Sequence, residues 1–239
     1  GTGCIYERIR DKVLALGGKL HLNSEITGLK VTGRQLAAVE LNGKPDVPIA
    51  ADDVVISSLP ITLTAGFLGH QSSLGFRGIC SVFLVYDKPM SLPDDIHWLY
   101  YDSEKLDFNR VTESKKLSPF VGPEDKTLLT AEITFSKGDE FTSMSEGEIM
   151  SRIAEQAERA RLGTRSELKD CSVNWEPFVY PLQYSGYQEE LARTQAVVSQ
   201  YEQLYSLGTG GDFNYADSQI IFHKAFDTVA TLCGRDSSY

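Results

Sequence analysis

Near the end of the chain, Gly208-Thr-Gly-Gly211 has the residue types and spacing best suited to holding a ligand. It follows a short apolar strand made by Leu204, Tyr205 and Leu207. Asp217 or Ser218 then caps a helix whose apolar residues Ile220, Ile221, Ala225, Phe226 and Val229 fall at helical spacing. Glycines let backbone approach a ligand with no side chain in the way. A strand, a glycine loop and a helix N-terminus aim free N–H groups and the positive end of a helix dipole at one point. That suits an anion or an electron-rich ring edge. An ordinary turn before a core helix fits the same pattern.

Other chemistry is sparse. No nucleophile–base dyad is evident from spacing, and His21, His70, His97 and His223 stand too far apart for a metal site. The middle of the chain is rich in aromatics with a few arginines: Arg77, His97-Trp98-Leu-Tyr100-Tyr101, Asn109-Arg110, Tyr180, Tyr184 and Tyr187. These fit the aromatic walls and anion clamps of a substrate pocket, with Arg77, Tyr180 and Tyr184 as candidate substrate contacts. They fit equally well as core or sheet-surface aromatics and solvated arginines.

The elements that must position these residues fall into two blocks. A helix over 4–16 carries Ile5, Ile9, Val13 and Leu16 on one face and ends at Gly17-Gly18. Strands follow over 19–23, 25–31 and 36–41, the last two joined at Thr32-Gly33-Arg34. Val54-Val-Ile56 reads as a strand covered on both faces, with Pro60 breaking regular structure beyond it. Further strands are expected over 78–86, 97–101, 109–112, 127–135 and 171–180. A helix capped by Ser145 with Glu148 should reach about Arg161. Residues 187–201 return to helix. The expected architecture is α/β with an α+β insertion. Residues 1–61 and 186–239 form one domain, and 62–185 form a mostly antiparallel-sheet domain between them.

The 239 residues carry a net charge of −10, which sets aside a basic nucleic-acid footprint. Cys4, Cys80, Cys171 and Cys233 are scattered, implying free thiols in a reducing compartment and hence a cytoplasmic protein. No apolar run reaches membrane-spanning length, and no signal peptide is visible. The chain opens on Gly1 without an initiator Met, which reads as a piece of a longer protein.

Four stretches, in order, resemble the flavin-dependent amine oxidase-like superfamily, which includes protoporphyrinogen oxidase, phytoene desaturase and, more distantly, UDP-galactopyranose mutase. They are Gly1-Thr-Gly-Cys-Ile-Tyr-Glu-Arg-Ile9, Gly17-Gly-Lys-Leu-His-Leu-Asn-Ser-Glu-Ile-Thr-Gly-Leu29, Ala51-Asp-Asp-Val-Val-Ile-Ser-Ser-Leu-Pro60 and the closing glycine stretch with Gly211-Asp-Phe-Asn-Tyr-Ala-Asp217. The resemblance implies FAD as cofactor and a partial Rossmann-like FAD-binding domain over 1–61 and 186–239, with 62–185 binding substrate. It implies that Ile26 meets the adenine through its backbone and that Ser57, Ser58 and Pro60 lie beside the dinucleotide. It also places Gly208, Thr209, Gly210 and Gly211 near the pyrophosphate, and Asp217, Ser218 and Gln219 at the flavin's pyrimidine edge.

The family's phosphate-binding glycine fingerprint is not present in these residues. Thr209 stands where the mutase-like branch usually has Arg. The function implied is the C-terminal portion of an FAD-dependent oxidoreductase acting on a small organic substrate. This chain alone should be inactive and bind FAD weakly or not at all. The alternatives are a mutase-like flavoenzyme without net redox chemistry, and a binding module that has lost catalysis.

Overall fold

The computed structural model describes residues 3–234. Gly1 and Thr2, the first residues of the opening motif, lie outside them. The architecture is mixed α/β with mostly antiparallel sheets. It divides into two compact units: residues up to Lys19 with Arg77–Pro177, and Leu20–Phe76 with the residues from Phe178 onward.

The first unit is built on a five-stranded sheet in the order β6-β7-β8-β5-β9. These strands are β5 (Phe76–Tyr86), β6 (Trp98–Tyr100), β7 (Arg110–Glu113), β8 (Thr127–Phe135) and β9 (Leu168–Pro181). Alternation along β5 turns Cys80, Val82, Leu84 and Tyr86 to one face, and β8 adds Leu129, Ala131 and Ile133. That face is covered by helix α4 (Glu146–Arg159) through Ile149, Ile153, Ala154 and Ala157. α4 starts as expected: Ser145 Oγ accepts from the Glu148 amide, and the Glu148 carboxylate accepts from the Ser145 amide. The helix ends at the C-cap Ala160, and just beyond, a Cβ on Gly163 would stand 2.4 Å from the Tyr86 ring. A short helical turn, α3 (Ser114–Leu117), links β7 to β8. Glu113 is fully buried and accepts from the amides of Ser91 and Leu92 and from the Thr127 hydroxyl. Helix α1 (Gly3–Ala15) agrees with the expected span, yet it buries none of its residues; Ile5, Ile9 and Val13 are exposed.

The second unit holds an antiparallel sheet of β1 (Ile26–Thr32), β2 (Gln35–Leu41) and β3 (Val47–Pro48), and a parallel pair, β4 (Val55–Ser57) with β10 (Leu204–Ser206). Its core comprises Leu36, Ile61, Ala65, Leu74, Val198, Leu204 and Phe213. Gln203 joins the two sheets. Its side-chain oxygen accepts from the Leu36 amide at 3.1 Å, and its nitrogen donates to the carbonyls of Ala50 at 2.8 Å and Asp53 at 3.2 Å. The hairpin at Thr32-Gly33-Arg34 forms with Gly33 at φ +63°. Among the described residues β4 has no strand on its other edge, and Ile56 is 42% exposed.

Two sequence expectations fail here for identifiable reasons. Residues 19–23 form no strand. The Lys44 ammonium takes the carbonyls of Leu22 and Asn23, and Asn23 adopts φ 51°, so these groups are withdrawn from sheet pairing. Pro60 does not end regular structure but begins it. It is the N-cap of α2 (Ile61–Phe67), and its carbonyl accepts from Leu63 and Thr64. Pro needs no N–H partner at a helix start. Among the described residues no helix is long and apolar enough to cross a membrane.

Candidate functional site

The site is built where β4 and β10 end side by side in the second unit. Their register is Leu204↔Val55, Tyr205↔Ile56 and Ser206↔Ser57, so the two strands end together. The Leu207 amide donates to the Ser57 carbonyl at 2.9 Å, fixing the two exits. Ser57 Oγ lies 3.0 Å from Thr64 Oγ1 of α2 and 3.4 Å from the Leu59 amide.

Gly208–Gly211 is not the open loop expected from its glycines but one closed helical turn, α6. The Asp212 amide donates to the Gly208 carbonyl at 2.7 Å and the Asn214 amide to Thr209 at 3.1 Å. A Cβ on Gly210 would stand 3.2 Å from Pro60 Cα and N. One on Gly211 would stand 2.8 Å from Ser206 Oγ and 3.3 Å from the Ser57 carbonyl. These two glycines let the turn lie directly on the Ser57–Pro60 backbone. Gly208 differs: at φ +92° it has nothing within 4 Å of where a Cβ would be, so a side chain is refused there by conformation and not by crowding.

Two cavities flank the strand ends. One, of about 150 Å³, is lined by Ile26, Ser57 and Ser58 together with Leu29, Val39 and Val55. It is a mostly apolar slot, with the hydroxyl residues Ser57, Ser58 and Thr64 in its lining. The other, of about 430 Å³, is lined by Tyr205, Ser206, Gly211 and Asp212, and by Gln195, Val198 and Glu202. Thus Ile26, Ser57 and Ser58 share one cavity, while Gly211 lines the other. Pro60, Gly208, Thr209 and Gly210 line neither.

Helix α7 (Ser218–Leu232) has Asp217 at its N-cap, but the Asp217 side chain makes no cap hydrogen bond. Among the described residues its carboxylate meets only the Gln219 side chain, at 3.4 Å. Asp217, Ser218 and Gln219 are all exposed, and the helix buries no residue; its apolar Ile220, Phe226 and Val229 face outward. The pair Lys224–Asp212, at 2.8 Å, ties α7 to the glycine turn. Sequence spacing carries no signal for that pair.

Tyr180 lies against Tyr215 with ring centroids 5.3 Å apart, so it is brought beside the segment that follows the glycine turn. Tyr184 is half-exposed, and its carbonyl accepts from the Tyr187 amide at the start of α5 (Tyr187–Val198). Arg77, exposed at the start of β5, belongs to the other unit. Arg110 is not a free anion clamp, because Glu132 engages its guanidinium through both carboxylate oxygens and holds it further above its ordinary pKa. Burial pushes the Cys80 and Cys171 thiols up to about 11, so neither is a thiolate at neutral pH. Among the described residues, no three His, Cys, Asp or Glu side chains converge as a metal site.

The sequence model of a family described as flavin containing amine oxidoreductase matches residues 1–209. No curated protein sequence matches the chain. Solved structures do. A reduced UDP-galactopyranose mutase superposes with TM-score 0.78 at 17% identity, over 98% of this chain and 51% of its own. A putrescine oxidase variant gives 0.59 at 17% identity, over 93% and 51%. A protein from Exiguobacterium sp. 255-15, described as a protoporphyrinogen oxidase, gives 0.63 at 16% identity, over 81% and 43%. At these identities the likeness is one of fold. The chain spans about half the length of these proteins.

Proposed function

Since the chain belongs to the flavin-containing amine oxidoreductase family, we propose that it forms part of an FAD-dependent oxidoreductase acting on a small organic substrate. In this reading 1–61 and 186–239 contribute to the FAD-binding portion, 62–185 contributes to the substrate portion, and the protein is cytoplasmic. The observation that carries it is the paired ending of β4 and β10, with the Ser57–Pro60 turn seated on the glycine turn beside a slot lined by Ile26. A two-stranded parallel sheet seldom stands alone, because parallel strands are normally buried within larger sheets. The pair is consistent with the edge of a larger dinucleotide-binding sheet.

The residues present fit part of FAD. The apolar slot suits a flat ring such as adenine, with Ile26, Ser57 and Ser58 in its lining. The unbonded first-turn amides of α7, at Ser218 and Gln219, suit negative charge at a flavin's pyrimidine edge. FAD supplies the hydride and electron chemistry. The chain's own residues seat the cofactor, exclude water from its ring and place positive potential against it.

Titration of the chain with AMP, read by NMR shifts at Ile26, Ser57 and Ser58, tests the reading. Shifts confined to the lining of the slot support it. Saturating AMP that leaves all three unmoved counts against it. The mutase-like reading, without net redox chemistry, draws support only from the overlap of fold with the mutase structure. Thr209 in place of an arginine weighs against it.

A further inference from the structure

Within the first unit, the segment joining β6 to β7 is pinned against the end of α4 and leaves a cavity there. Asp107 ties the segment to the helix twice. Its amide donates to Gln156 Oε1 at 2.8 Å, and its carboxylate accepts from Arg152 at 2.8 Å and from the Gln156 side chain. Phe108 beside it is buried, with the Tyr101 ring 5.3 Å away and nearly perpendicular. The Tyr101 amide donates to the Asn109 carbonyl at 2.9 Å, and the Leu106 amide closes a turn on the Ser103 carbonyl. The cavity measures about 230 Å³ and is lined by Tyr101, Ser103, Lys105, Leu106, Arg159 and Ala160.

The lining carries two positive charges and no negative one. Among the described residues, neither the Lys105 ammonium nor the Arg159 guanidinium has a hydrogen bond or ion pair, and the Tyr101 hydroxyl has no hydrogen bond. Arg152, one turn earlier on α4, is by contrast closed by Asp107 and Glu140. The helix end does not occupy Arg159 either. The carbonyls of Gln156, Ala157 and Glu158 already accept from the amides of Ala160, Leu162 and Arg161. Burial holds the Tyr101 phenol above its ordinary range, so it remains a donor at neutral pH. Three donors without acceptors therefore share one cavity with the apolar side chains of Leu106 and Ala160.

We propose that this cavity binds a small organic anion, a carboxylate carried on one apolar ring or short chain. Lys105, Arg159 and Tyr101 supply donors to the carboxylate, and Leu106, Ala160 and the Tyr101 ring supply apolar contact. The volume lies below that of a drug-sized pocket, which limits the ligand to about one ring. A bare inorganic anion is disfavoured. Asp102 and Glu104 stand exposed on the segment, Glu155 and Glu158 stand exposed on α4, and the negative end of the helix dipole lies at Ala160. Two cations alone do not outweigh these, and burial of an apolar body supplies the remainder. A neutral ring forgoes the charge-assisted bonds. The assignment does not rest on the flavin reading, and the AMP titration reports on residues of the other unit.

The test is NMR titration of the chain with benzoate, benzyl alcohol and sulfate, read at the amides of Ser103, Lys105, Leu106 and Ala160. Benzoate should give saturable shifts at these positions, and the other two probes at the same concentration should not. Lys105→Gln and Arg159→Gln should each weaken benzoate about threefold, the scale of an exposed ion pair, and the double variant about tenfold. Both side chains are exposed, so the variants fold. Tyr101→Phe keeps the ring, removes the hydroxyl and should weaken binding about fivefold. Arg165→Gln removes the same charge from a residue outside the lining and should change the affinity less than about twofold, because exposed charges are screened. The proposal is overturned if benzoate gives no saturable shift by a concentration on the order of 10 mM. It is equally overturned if sulfate competes as well as benzoate, if the double variant binds unchanged, or if Arg165→Gln weakens binding as much as the double variant does.

Discussion

Replacing Gln203 by Leu tests how the second unit holds its two sheets together. Leu fits the space but can neither accept from the Leu36 amide nor donate to the carbonyls of Ala50 and Asp53. Four hydrogen bonds disappear, one of them a weak 3.4 Å donation to the Ala51 carbonyl, at a residue that is only 9% exposed. Each is worth about 0.5–1.5 kcal/mol net, more where a partner is left buried and unpaired. Added burial of the leucine methyl groups returns about 1 kcal/mol. The net expected loss is therefore about 1–3 kcal/mol. At a urea dependence of about 1–3 kcal/mol/M, the midpoint of the second unit should fall by about 1 M. The assay is urea unfolding followed at Tyr201 and Tyr205 resonances, with hydrogen exchange of the Leu36 amide as the local readout. Exchange at Leu36 should speed up even where the unit remains folded. A midpoint and a Leu36 exchange rate both unchanged would refute the claim that this side chain joins the sheets.

Gly210→Val drives a branched side chain into the Pro60 backbone; overpacking of this kind costs about 1–3 kcal/mol, and AMP affinity should fall as the Ser57–Pro60 turn shifts, as a binding titration would show. Gly163→Ala presses a methyl against the buried Tyr86 ring and should lower the melting temperature of the first unit, whereas Gly147→Ala, in the same unit with nothing near its Cβ position, should not. At pH 8, iodoacetamide should label the exposed Cys4 and Cys233 and spare Cys80 and Cys171, as peptide mass mapping would show. Because burial raises the Cys80 thiol from 9.0 to about 11 and the Tyr86 phenol from 10.0 to about 12, the unfolded chain ionises first. The stability these groups contribute is complete below pH 9 and falls as pH rises through the window up to about 12, with a smaller fall expected in Cys80→Ala, measurable by unfolding at pH 8 and pH 10.5.

Much of the local structure was readable from residue order. Ser145 and Glu148 mark the start of α4 because a capping box uses side chains within one turn, and Gly33 marks the hairpin because only a few residues accept its positive φ. The strands over 78–86 and 127–135 were readable as apolar, β-prone runs, but β5 is apolar at both parities, so which of its faces would be buried was not. Long-range partners were not readable. Nothing in Lys19–Asn23 shows that Lys44, more than twenty residues on, will take its carbonyls. Nothing in Gly208–Gly211 distinguishes glycines that admit a ligand from glycines that admit the Pro60 backbone, and the structure makes Gly210 the second kind. Gln203 is one polar residue after a helix, with nothing local to mark it, and its four partners lie about 150 residues or more away in sequence. Arg110 drew notice as a cation, and its neutralisation by Glu132 follows only from the register of β7 on β8.

The edge of β4, unpaired among the described residues, also bears on the risk of fibrous self-association. Val54-Val-Ile56 is uncharged and β-branched, the composition from which intermolecular cross-β stacking is built. Its length is what restrains it. Asp52 and Asp53 stand immediately before it, and Pro60 stands four residues after Ile56, so the run cannot extend in register in either direction without stacking like charges or losing an N–H. Three residues of ladder suffice to seat one short neighbouring strand, but a fibril needs a segment about twice as long. The aspartates and the proline act as gatekeepers, leaving the edge open to a single specific neighbour and closed to an indefinite series of copies.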